Sequence, residues 1–80
     1  MGLRVRFFAA LRDKIGPEIR IEWEQGLTGP EVLRFLKRTF GEVSVLLDHS
    51  LIAINGEYKE RNVLIGPEDE LAVLPPVSGG

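Results

Sequence analysis

An α+β fold, with one main helix packed on one face of a mixed sheet, is predicted by three features of this 80-residue chain. Two amino-terminal segments alternate apolar and charged residues, as strands with one wet face do. A single amphipathic stretch with a helix-capping signature follows. An Asn-Gly pair then separates two strand-like runs, ahead of a last apolar segment close to the C-terminus. Sheet-and-helix layers around one core account for this order. The length allows one domain, near the size at which burial barely offsets chain entropy.

In the first strand, about residues 2–8, Leu3, Val5 and Phe7 alternate with Arg4 and Arg6. Ile19, Ile21 and Trp23 alternate with Arg20, Glu22 and Glu24 in the second. Between them Asp13-Lys14-Ile15-Gly16-Pro17 carries the glycine and proline of a loop, so the two strands are expected to pair as a hairpin with a long connection. Thr28-Gly29-Pro30-Glu31 reads as a helix start. Threonine caps, proline fits the first turn, where a missing N–H costs nothing, and Glu31 can close a capping box. Gly41, after Phe40, is the expected stop. Val32, Leu33, Leu36 and Phe40 form the apolar stripe with Phe35 on its margin, while Arg34, Lys37 and Arg38 take the solvent side.

Residues 42–50 contain Val43, Leu46 and Leu47 in a pattern too short to assign, with room for one helical turn across an end of the sheet. Leu51–Ile54 and Glu57–Glu60 flank Asn55-Gly56, which accepts the positive φ values of a two-residue type I′ turn. Val63–Ile65 can add a short segment. Gly66-Pro67-Glu68-Asp69-Glu70 then turns the chain into the last strand, Leu71–Leu74. If the first and last strands lie side by side in parallel, the helix supplies the right-handed crossover between the two halves. That is a β-grasp, or ubiquitin-like, arrangement: residues 1–76 form the domain, and residues 77–80 are expected to project as a flexible tail from a strand in the middle of the sheet.

Composition removes several function classes. The chain has no cysteine, which excludes disulfides, thiolate metal sites and a cysteine nucleophile. Its net charge of −2, with both signs mixed, leaves no footprint for nucleic acid. No apolar run is long enough to span a bilayer, and the amino terminus lacks the apolar region of a secretory signal, so a cytoplasmic protein is expected. His49 is the sole imidazole; Asp48-His49-Ser50 is contiguous, whereas triads are assembled from separated positions, so a polar loop histidine is the better reading. Glu68-Asp69-Glu70 lacks the spaced oxygen ligands of a cation site and reads as a solvated acidic turn. No bound cofactor and no metal are expected, and no autonomous enzymatic site is visible.

The remaining candidate is the C-terminus. Gly79 and Gly80 place a bare carboxylate on a stalk without side chains. An enzyme that activates a chain's own end must draw its last residues through a narrow channel, and glycine has neither a Cβ to clash nor a φ restriction to obey.

From Phe7-Phe8-Ala9-Ala10-Leu11-Arg12, through Ala53-Ile54-Asn55-Gly56, to Gly66-Pro67-Glu68-Asp69-Glu70-Leu71-Ala72-Val73-Leu74-Pro75-Pro76-Val77-Ser78-Gly79-Gly80, the chain resembles the small subunit of molybdopterin synthase, the MoaD family of ubiquitin-fold sulfur carriers. The resemblance runs nearly end to end, with the tail its most specific part. It departs at Val73 and Leu74, where the family often has an aromatic residue, and at Pro67-Glu68-Asp69, where the family has glycine-aspartate. The first departure bears on the strength of partner docking. The second leaves the turn chemistry intact.

The resemblance implies a carrier that is itself a substrate. A MoeB-like adenylating enzyme, using ATP and Mg, would adenylate the Gly80 carboxylate. Sulfur from a donor such as a cysteine desulfurase or rhodanese would displace AMP to leave a thiocarboxylate. In the pocket of a MoaE-like large subunit, where catalysis is expected, that group would pass sulfur to the cyclic pyranopterin monophosphate precursor of molybdopterin. Gly79 would give slender reach, Val77 and Ser78 would line a tunnel mouth, and Pro75 and Pro76 would end the strand and stiffen the exit. Phe8, Arg12, Tyr58 and Leu74 align with positions through which the family docks its partners. Phe8 is out of phase with Leu3, Val5 and Phe7 and is expected to face outward as an interface anchor; a packed satellite cluster is the competing role. A related carrier for thiamine thiazole synthesis or tRNA thiolation, or a protein modifier, shares the Gly-Gly end. A β-grasp interaction module with an inert tail shares the fold alone.

Overall fold

Five strands, β1 (Gly2–Phe7), β2 (Glu18–Glu22), β3 (Leu51–Ile54), β4 (Glu57–Lys59) and β5 (Glu70–Leu74), form one sheet in the order β2-β1-β5-β3-β4 in the computed structural model, which describes residues 2–76. Val77, Ser78, Gly79 and Gly80, with the roles expected of them, lie outside the described residues. Strand β1 (Gly2–Phe7) pairs antiparallel with β2 (Glu18–Glu22), setting Leu3 opposite Ile21 and Val5 opposite Ile19. On its other side β1 runs parallel to β5 (Glu70–Leu74), with Val5 opposite Leu71 and Phe7 opposite Val73. Strand β3 (Leu51–Ile54) flanks β5 in the antiparallel sense, and the short β4 (Glu57–Lys59) closes that edge. The parallel first and last strands define the expected β-grasp.

Period-two alternation decides what each face receives. Leu3, Val5, Phe7, Ile21, Ile52, Ile54, Leu71 and Val73 are all buried on one side. Helix α2 (Gly29–Thr39) lies over them through Val32, Leu33 and Leu36, leaving Phe35 on the margin and about half exposed. Thr28 opens the helix with the expected capping box: Glu31 Oε1 accepts from the Thr28 backbone N–H at 3.1 Å and from its hydroxyl at 3.0 Å. The helix ends at Thr39. Gly41 follows the Phe40 cap but opens a 3-10 turn, Gly41–Val43, outside the left-handed region. Helix α3 (Ser44–Asp48) fills the unassigned stretch as a single turn and buries Leu47.

The connection between β1 and β2 corrects the expected loop. Residues Ala9–Ile15 form a short helix, α1. Phe8 is still extended, but Ala9 takes φ 51°, which swings the chain off the sheet and lets Leu11 bury completely, with Ile15 packed against the core. A second tight point is Gly29, whose N–H donates to the Val63 carbonyl at 3.1 Å. A Cβ there would meet the Arg61 carbonyl oxygen at 1.9 Å, so only glycine fits. The Arg61 guanidinium in turn donates to the carbonyls of Leu47 and Ser50 at 2.8 and 2.9 Å, sealing the end of α3. Residues 63–65 contribute one isolated bridge, Leu64 to Thr28, and Ile65 accepts from the Trp23 indole N–H at 2.8 Å.

Candidate functional site

The sheet face that no helix covers divides into two halves. Towards β2 it is ionic. Arg4 donates to Glu18 at 2.9–3.0 Å and reaches Glu70 at 3.5 Å, while Arg6 meets the other Glu70 oxygen at 3.2 Å. The hydrogen bond from Arg4 holds the Glu18 carboxyl below its ordinary pKa and raises that of the guanidinium. Towards β3 and β4 the same face is apolar. Leu51 stands opposite Leu74, Ala53 opposite both Ala72 and Tyr58, and Ala72 opposite Arg6. Tyr58 is 68% exposed and Leu51 58%, whereas Leu74 is half-buried.

Phe8 completes this patch. It lies one step beyond Phe7, as Leu74 lies one step beyond Val73, and its extended backbone at φ −131° and ψ 159° keeps the alternation, so its ring leaves the core face. The Arg6 guanidinium carbon sits 5.4 Å from the ring centroid, a cation–π distance that props the half-buried ring against the sheet. Arg12, one turn into α1, is exposed at the rim, and its N–H donates to the Phe8 carbonyl at 3.3 Å. Of the expected docking residues, Phe8 and Leu74 lie at the ends of the neighbouring strands β1 and β5, Tyr58 lies on β4 opposite Ala53, and Arg12 lies in α1 just after Phe8, while Pro75 and Pro76 leave the sheet after Leu74. Leu51 belongs to the same patch and was not among the expected residues. Its register opposite Leu74 identifies it.

The other candidate chemistries do not assemble. His49 Nδ1 lies 3.0 Å from the Val45 carbonyl, the Ser50 hydroxyl donates to Leu46 at 2.6 Å, and Asp48 pairs with Lys37. Each side chain at the end of α3 is thus occupied locally, and the Lys37 contact holds the Asp48 carboxyl below its ordinary pKa. Asp69 is bound into its own turn, accepting from the Gly66 N–H at 2.7 Å. Among the described residues no three His, Cys, Asp or Glu side chains gather as a metal site, and no helix is long and apolar enough to cross a membrane. A cleft of about 390 Å³ between β2 and α2 is lined by Leu27, Phe35 and charged residues, away from the strand end.

A β-grasp body with an apolar open face beside the exit of its last strand defines the class as ubiquitin-like. Comparison with known proteins narrows it. The ThiS family profile matches residues 5–80. The molybdopterin synthase sulfur carrier subunit of Dictyostelium discoideum is 33% identical, the alignment covering 96% of this chain and 94% of that one. Among solved structures, SAMP1 of Haloferax volcanii superposes with a TM-score of 0.82 at 27% identity, with both chains fully covered. Helicobacter pylori subunit 1 of molybdopterin-converting factor, solved in complex with subunit 2, gives 0.70 at 26% identity, again over the whole of both chains. The chain belongs to the ThiS family of ubiquitin-fold sulfur carriers, alongside the molybdopterin synthase sulfur carrier subunits.

Proposed function

We propose that this chain is the cytoplasmic small subunit of a molybdopterin synthase, carrying sulfur as a thiocarboxylate on Gly80. The observation that carries the reading is the junction of an uncovered apolar patch, Phe8, Leu51, Tyr58 and Leu74, with the end of the strand that leads into Gly79-Gly80. An aromatic and aliphatic cluster of this kind anchors a protein partner. The partner it fits is a large subunit, as the subunit 1 and 2 complex from Helicobacter pylori supports. In this reading Pro75, Pro76, Val77 and Ser78 lead the terminus into the partner.

The chemistry follows from the carboxylate. It acylates poorly until one oxygen becomes a good leaving group, and AMP, transferred by an adenylating enzyme that uses ATP and Mg, supplies one. The terminal sulfur of a donor persulfide then attacks the acyl carbon and displaces AMP, forming an acyl disulfide, and a thiol reductant cleaves that S–S bond to leave the thiocarboxylate. No side chain of this domain performs a step; the body binds and presents the terminus, and the partners catalyse.

The test is intact mass. After incubation with the activating enzyme, ATP, Mg and a sulfur source, the full chain should gain the mass of an oxygen-to-sulfur exchange, and a chain lacking Gly79 and Gly80 should gain nothing while folding normally. A truncated chain that still supports cofactor assembly would sink the proposal. A second reading, conjugation to other proteins, is favoured by the likeness to Haloferax volcanii small archaeal modifier protein 1. It predicts adducts on lysines of other proteins.

A further inference from the structure

Asn55 and Gly56 are the central residues of the β3–β4 turn, both exposed, at φ 52° and 85°. In an Asn-Gly pair the glycine leaves its amide nitrogen unshielded, so that nitrogen can reach the preceding side-chain carbonyl carbon. Here the side chain is held elsewhere. Asn55 Nδ2 donates to Asp69 Oδ1 at 3.0 Å, and Asn55 Oδ1 accepts from the Glu70 N–H at 2.9 Å. The Asn55 N–H also donates to the Glu70 carbonyl at 2.9 Å. Asp69 in turn uses its second oxygen on the Gly66 N–H. One amide thus ties the hairpin to the turn that launches β5.

We propose that Asn55 is a deamidation site gated by this latch, an assignment independent of the sulfur-carrier reading. The Gly56 nitrogen attacks Asn55 Cγ, forming a C–N bond and losing its own proton. Ammonia departs from Cγ with the side-chain nitrogen, leaving a five-membered succinimide. Water then opens either imide carbonyl, giving aspartate or isoaspartate. Both attack and departure need the side chain free of Asp69 and Glu70, so the reaction runs from a locally opened hairpin. The product cannot restore the bond to Asp69: the donor is gone, and a new carboxylate faces Asp69 Oδ1, leaving only the Glu70 N–H to be accepted. An isoaspartyl linkage also lengthens the backbone of a two-residue turn by a methylene. The consequence is a one-way release of the Gly66–Asp69 turn from the hairpin.

Ageing the full chain at mildly alkaline pH, with peptide mapping by mass spectrometry, tests both halves. In urea Asn55 should convert readily. In native buffer it should convert at least about tenfold more slowly, the factor expected when two ordinary hydrogen bonds must open first. Asp69→Ala, which removes one of the two bonds, should recover part of that factor in native buffer and change nothing in urea. Should that variant fail to fold, Asp69→Asn serves: one oxygen fewer must give up either Gly66 or Asn55, and an intermediate rate is expected. Absence of conversion at Asn55 in urea overturns the site. Equal native and denatured rates, or a folded Asp69 variant that ages like the parent, overturn the latch.

Discussion

Both faces of the sheet are written with the same alternation, yet they meet different fates. On the covered side Leu3, Val5, Phe7, Leu71 and Val73 disappear under α2. On the open side Phe8, Leu51, Tyr58 and Leu74 stay wholly or partly in contact with water, beside an ionic half that needs no cover. Burial within the chain converts apolar area into stability, whereas apolar area left in water contributes nothing until a partner removes it. Residues that hold the body together are thus separate from apolar residues that it leaves open.

Substitutions can break that separation, and the largest effects are expected on the covered side. Leu71→Ala or Leu36→Ala removes a fully buried side chain and should cost roughly 2–5 kcal/mol in urea unfolding. In so small a domain that is a large share of the total. Gly29→Ala forces a methyl against the Arg61 carbonyl and should cost about 1–3 kcal/mol or more, read as a lower thermal midpoint. A wild-type midpoint for this variant would show that the α2 entry has slack that the structure lacks.

On the open side the pattern should invert. Tyr58→Ala and Leu51→Ser should leave stability within about 0.5 kcal/mol while weakening the large-subunit complex about tenfold or more, measured by calorimetric titration. If either unfolds the chain without touching affinity, the division between faces fails. The smallest effect belongs to the ion pairs. Glu18 and Asp48 have depressed pKa values in the folded state, so their contribution is present above the ordinary carboxylate range and is lost as pH falls below it through the depressed values. Both are exposed and screened. Glu18→Gln should therefore flatten only slightly the acid limb of a stability-against-pH curve.

Locally encoded elements are legible in the sequence. Asn55-Gly56 dictates its own turn, and Thr28-Gly29-Pro30-Glu31 its own helix start, because the decisive interactions lie within four residues. Helix α1 was hidden by the glycine and proline that end it, which read as a loop, although Leu11 and Ile15 already stood four apart on one helical face. The apolar patch on the open face is legible in Phe8, whose phase against Phe7 shows in one strand. Leu51 is not, because Leu51-Ile52-Ala53-Ile54 is apolar in both phases, and only its pairing with β5 tells which side it takes.

Strand β5 is stitched on both sides, in parallel to β1 and antiparallel to β3. A pull on the chain beyond Pro76 loads both ladders along their length, so their bonds must yield together and cannot be unzipped one at a time. A strand mounted in this way resists being peeled from the body when its far end is loaded.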